Sequence, residues 1–146
     1  MTEFPLYITA WSAFILGALL LFLAYRVSSE RRSRHIVLGD NSDKITIKKI
    51  RGHGNATEQI PMALILLGLV EYLQGSTYAL IIAIALIAGR LMHATYFSFD
   101  GTHWRFRFYG MTLTYTAYLF ACVGVLKTKR RPMAALHTKI AEIKTT

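Results

Sequence analysis

Residues 51–73 read RGHGNATEQIPMALILLGLVEYL. The opening is polar, with Arg51, His53, Asn55, Thr57 and Glu58, and the chain turns apolar almost at once from Ile60 onward. A carboxylate at the entry of a lipid-buried helix is costly, so Glu58 calls for a partner. Arg51, Asn55 and Glu58 are spaced i, i+4, i+7 and share one helix face. The stretch therefore reads as a loop leading into a membrane span, with a polar stripe carried a turn or two into the bilayer.

The rest of the chain supplies the same kind of material. Of 146 residues, 53% are hydrophobic, yet the formal net charge is +9. Apolar runs with basic links between them describe a membrane protein. They do not describe a nucleic-acid binder, because the aromatics sit inside the apolar runs and no recognition motif interleaves them with the basic residues. Four apolar segments emerge at residues 4–25, 55–73, 78–99 and 108–126. About 20 residues cross a hydrocarbon core, so each can span. The first has no preceding basic residue, is too long for a signal peptide and lacks a small-residue cleavage site, so it reads as a retained span. Gly75-Ser76 marks a tight connection, Gly101 a break, and Gly39-Asp40-Asn41 a turn in the long first link. Small residues recur four apart at Ala13 and Gly17, Ala79 and Ala83, Ala85 and Gly89, and Ala117 and Ala121, a spacing that lets helices approach closely in lipid. Cys122 is the one cysteine. It excludes an internal disulfide and reads as a packing residue.

The third segment carries its own charge. Arg90 lies 12 residues after Tyr78, a rise of roughly 18 Å, which leaves it at a depth compatible with Glu58 on an antiparallel neighbour. The expectation is a Glu58–Arg90 ion pair. Asn55 one turn from Glu58, and His93 three residues after Arg90, extend the pair into a polar cluster suited to an anionic polar ligand. Glu71, near Gln74 and Gly75, reads as reaching the far interface. His35 and His53 read as loop residues. His93 has no second His or Cys at ligand spacing, so no metal site is expected.

Three motifs, IRGHGNATEQIPMALILLGLVE (50–71), GRLMHATY (89–96) and RFYGMTLTY (107–115), resemble the MAPEG family, membrane-associated proteins in eicosanoid and glutathione metabolism, and most nearly its bacterial branch. The resemblance covers roughly residues 36–116. It implies an all-α fold, an antiparallel four-helix membrane bundle assembled as a homotrimer in a bacterial inner membrane. The membrane domain would take residues 1–131, with a basic tail at 132–146. The resemblance further implies glutathione as ligand or co-substrate, held in the cytoplasmic leaflet by Arg26, Arg51, Asn55, Glu58, Arg90 and His93, with Tyr96 beside them. Arginines suit its two carboxylates, and Glu58 or Asn55 its ammonium or peptide groups. The other substrate would be a lipophilic electrophile or a lipid hydroperoxide. Two positions depart from the family pattern. Where catalytic members place an Arg in the fourth span, this chain has Met111, which leaves Arg107 as the catalytic candidate there. Where several members carry a Tyr four residues after the span-three His, it has Phe97, with Tyr96 one position early. These departures keep open a non-catalytic protein that binds glutathione or lipid and acts through a partner. A small transporter built on Glu58 and Arg90 is a third possibility.

Orientation follows from the basic residues. The first link holds Arg26, Arg31, Arg32, Arg34, Lys44, Lys48, Lys49 and Arg51, and the third holds Arg105 and Arg107, whereas the N-terminus and second link hold none. The positive-inside rule puts links one and three in the cytoplasm and both termini outside. The basic tail then lies on the headgroups as a short helix, with Ala135, Leu136, Ile140 and Ile143 on one side. Single cysteines placed in link one and in the tail should label from opposite sides of the membrane; labelling of both from one side rejects this topology.

Overall fold

The structure is a computed structural model, and it describes residues 6–99 and 102–127. The tail at 132–146, with its expected headgroup helix, lies outside the described residues. Four helices follow in order: α1 (Tyr7–Ser33), α2 (Lys44–Gln74), α3 (Ser76–Ser98) and α4 (Trp104–Leu126). Each is long and apolar enough to cross a membrane. The paired central helices α2 and α3 both pack against α1 and against α4, while α1 and α4 do not meet. The connection between α2 and α3 is Gly75 alone, at φ 94°. That left-handed backbone favours glycine and lets two spans reverse over one residue.

The helices overrun the expected spans at the basic end. With 27 residues, α1 is about 40 Å long. With 31, α2 is about 46 Å. Both exceed a hydrocarbon core of about 30 Å. Polarity reports where the bilayer stops, not where the helix stops. The stretch from Arg51 to Glu58, expected to start as loop, is helix throughout, and His53 with it. The extension is tied together by charge. Glu30 on α1 accepts from Arg34 and from Lys49 of α2. Arg34 Nη1 reaches Asp43 Oδ2 at 2.9 Å. Asp43 caps α2 by accepting the Thr46 N–H at 2.8 Å, and that bond holds its carboxyl below the ordinary value. The turn between them forms as expected, with positive φ at Gly39 and Asn41, joined by His35 and Ser42.

The opposite end is closed by Glu71, which is 3% exposed and turned into the bundle. Its carboxylate accepts from Ile8 N at 2.9 Å, Thr9 N at 2.8 Å and Thr9 Oγ1 at 2.7 Å. The first turn of a helix leaves N–H groups unpaired and carries partial positive charge. Here α1 has no side-chain cap of its own, so a carboxylate from α2 supplies one. Nearby, Gln74 Nε2 donates to Gly124 O at 2.8 Å and Tyr78 Oη to Phe120 O at 3.0 Å, which ties α4 to the same end.

Small residues set the spacing of the core. Ala79, Ala83, Ala117 and Ala121 are buried, as their four-residue spacing suggests. The tightest crossing lies between α3 and α4. A Cβ at Gly89 would stand 2.8 Å from Gly110 O, and one at Gly110 would stand 2.6 Å from His93 N. Only two glycines permit that backbone-on-backbone approach. Gly52 on α2 instead admits a side chain, since a Cβ there would meet Phe97 Cγ at 2.9 Å. Cys122 faces outward and is not packed inside.

Two measurements follow. Glu71→Gln keeps the size but turns an NH2 group toward α1's N–H donors. It should cost roughly 2–3 kcal/mol in detergent unfolding, the scale of hydrogen bonds to a charged acceptor. Gly110→Ala should cost about 1–3 kcal/mol by overpacking. An unchanged melting temperature in either variant would show that the corresponding contact carries no stability.

Candidate functional site

At the basic end, α2, α3 and α4 diverge around a cleft of about 1170 Å³. From α2 come Ile50, Arg51, Gly54, Asn55 and Glu58; from α3, His93, Tyr96 and Phe97. The α4 wall is a helical stripe of Trp104, Arg107, Phe108, Met111, Thr112 and Tyr115, and Asp40 reaches the rim from the first link. The i, i+4, i+7 face read from the sequence does line the site. Gly54 would meet nothing within 4 Å if it carried a Cβ, so the glycine keeps that part of the groove open.

The expected Glu58–Arg90 pair is absent. Arg90 is fully buried and donates from Nη2 to Asn55 Oδ1 at 3.0 Å. Its Nη1 lies 3.8 Å from Met111 Sδ, and Nη2 lies 3.4 Å from His93 Nδ1. The depth estimate was compatible, but the direction was not. Ala56 is the fully buried residue of this turn. Asn55 lies about 100° around the helix from it and Glu58 about 160°, on the far side. Glu58 is accordingly exposed toward the cleft, as is Arg51, and neither makes an ion pair with a described residue.

The aromatic residues build one wall. His93 is 2% exposed, and its ring lies 4.8 Å from that of Phe97. Phe97 in turn seats the Arg107 guanidinium, 5.8 Å from its ring centre, and so serves as a platform for a cation. Tyr96 packs edge-on against Phe97 at 5.0 Å, with Lys48 Nζ 5.0 Å above its own ring.

The structure thus gathers Arg51, Asn55, Glu58, His93, Tyr96 and Arg107 on the cleft surface and sets Arg90 directly behind it. It does not bring Arg26 there. Arg26 donates to Ser98 O and lies 5.5 Å over the Phe99 ring, closing the C-terminal end of α3. Asp40, Trp104, Phe108 and Thr112 also line the cleft and were not anticipated from the sequence. The signal was there for α4, since 104, 108, 111–112 and 115 follow helical spacing. Asp40 carried no such signal, because only the fold of the turn aims it at the rim.

The model of the MAPEG family matches residues 9–127, a span that takes in α2, α3 and α4 and all but the first two residues of α1. The chain is 36% identical over 114 residues to inner membrane protein YecN of Escherichia coli strain K12, and equally to the protein of the same name in strain O6:H1. Each alignment covers 77% of this chain and 86% of the relative. A four-span bundle and a match across most of its length agree: the chain belongs to the MAPEG family.

Proposed function

We propose that the cleft binds glutathione and presents its thiol to a lipophilic partner arriving from the bilayer, in the manner of a glutathione transferase or peroxidase. The observation that carries this reading is the pairing of uncommitted charges with an aromatic wall. Arg51 and Arg107 stand ready for two carboxylates, Glu58 for an ammonium, and Asn55 for a peptide group, all on one surface. Trp104, Phe108 and Tyr115 line the α4 side, which suits an apolar second substrate. In the transferase case sulfur forms a bond to an electrophilic carbon as the leaving group departs with the electron pair of the broken bond.

The setting is a bacterial inner membrane, the compartment named for the Escherichia coli relatives, with the cleft on the cytoplasmic side and both termini outside. The assembly is a homotrimer with a cleft at each boundary between copies. Arg26, remote from the cleft of its own protomer, joins the site only in such a shared cleft. A second reading is a binder that does no chemistry and acts through a partner. Met111 favours it, as an uncharged side chain on the α4 wall where catalytic relatives carry an arginine.

Calorimetric titration of the detergent-solubilised protein with glutathione tests the binding. Arg51→Ala and Arg107→Ala should each weaken affinity about tenfold or more, since a lost charge-assisted bond is worth roughly 1.5–3 kcal/mol. Wild-type protein that shows no heat of binding ends both readings. Binding without turnover of a model electrophile or a lipid hydroperoxide selects the second.

A further inference from the structure

Asp40, Arg51, Glu58 and Arg107 are the acids and arginines that line the cleft. Glutathione brings two carboxylates and one ammonium. Arg51 and Arg107 answer the carboxylates and Glu58 the ammonium, which leaves Asp40 without a partner on the ligand. An acid at the mouth of a site for anions repels what the site is to hold. Yet the turn fixes Asp40 there. Its Oδ1 accepts the Ser42 N–H at 2.9 Å and its carbonyl the Asp43 N–H at 3.0 Å. Asn41 and Ser42 between them stand at φ 52° and 55°. Two left-handed residues in succession make a turn that glycine favours and serine adopts at a cost. The cations of the same end are engaged elsewhere: Arg34 with Glu30 and Asp43, Lys49 with Glu30, and Lys48 with Phe99 O and the Tyr96 ring. Among the described residues no cation pairs with Asp40.

Depth orders the rest of the cleft. On α2, Glu58 follows Arg51 by two helical turns, about 10 Å further from the basic end. An ammonium held at Glu58 puts the γ-glutamyl end of a ligand deep and its opposite end at the mouth, beside Arg51 and Asp40. Glutathione ends there in a lone carboxylate, which pairs with Arg51 and meets Asp40 as a like charge. We propose that Asp40 reads a second cation at the mouth end of the ligand, so that the cleft favours a γ-glutamyl-cysteinyl peptide carrying an amine beside its C-terminal carboxylate. This rests on the glutathione reading and narrows the class of thiol peptide that the site takes. Such a ligand sets two carboxylates against two arginines and two ammonium groups against two acids, and no charge of the cleft surface is left over. Asp40 is thus a specificity residue, and its contribution is the difference between two ligands that share the thiol and the γ-glutamyl group.

Calorimetric titration of the full chain in detergent tests this with three peptides: glutathione, γ-glutamyl-cysteinyl-lysine and γ-glutamyl-cysteinyl-norleucine. The last two differ by the side-chain charge at the mouth end. Wild-type protein should bind the lysine peptide about fivefold tighter than the norleucine peptide. That advantage should shrink as salt is added. Asp40→Asn keeps an oxygen for the Ser42 N–H and suits the turn, so the fold survives it. It should bring the two peptides within about twofold of each other and bind glutathione about twofold tighter than wild type, because the like charge is gone. Arg51→Ala should weaken all three peptides and leave the preference for lysine in place. Wild-type protein that binds glutathione but takes the lysine and norleucine peptides equally overturns the role of Asp40 alone, and needs no variant to do so. An Asp40→Asn protein that keeps the wild-type preference overturns it as well. A wild type that binds none of the three overturns this role together with the glutathione reading.

Discussion

The crossing of α3 and α4 at Gly89 and Gly110 is the constraint on which the cleft depends. Backbone meets backbone there, with His93 N and Gly110 in near contact. Two consequences follow from helical geometry alone. Met111, next to Gly110, is delivered to the Arg90 guanidinium, and Arg107, three residues earlier, is delivered to the Phe97 ring. A side chain at either glycine would wedge the helices apart and move both contacts together. The third wall has its own version of this device at Gly52, which admits Phe97 against α2. Glycines thus set the position of charges that lie a turn away from them.

Around this crossing the bundle separates its charges by place. The paired carboxylates, Glu30 and Asp43, lie on the extension of α1 and α2 beyond the bilayer, where they hold the first link down. The unpaired charges, Arg51, Glu58 and Arg107, face the cleft. Two charges are buried among the described residues, Glu71 at the far end, where it caps α1, and Arg90 behind the cleft wall. Groups committed to structure and groups available to a ligand therefore occupy different heights of the same helices.

Much of this was legible in the sequence, and what was not has identifiable causes. Run length and basic links gave four helices in the right order, and the i, i+4, i+7 spacing put Arg51, Asn55 and Glu58 on the cleft face. The start of α2 was misplaced because Gly52, Gly54 and their polar neighbours read as loop, whereas one glycine serves close packing and the other an open groove. The partner of Arg90 was misassigned because sequence position gives depth along a helix but not the direction of the core around it. The capping role of Glu71 was not legible because its partners, Ile8 and Thr9, lie more than 60 residues away and offer only backbone N–H groups and a hydroxyl. No pattern of residue types announces such a contact. Arg26 carries a basic residue's signature at a span end, and only the packing of α1 on α3 shows that it closes a helix terminus in its own protomer.

The cap that Glu71 places on α1 has a consequence for the order of assembly. A chain made from its N-terminus inserts α1 first, with its leading amide groups unsatisfied at the membrane face away from the basic links. Their acceptor lies at the end of α2, one turn before the Gly75 reversal, and it must cross the bilayer to reach them. Until the second span is complete, α1 is inserted but not docked. The carboxylate thus acts as a latch that closes only on a finished hairpin partner, so the first two spans lock as a unit and not in succession.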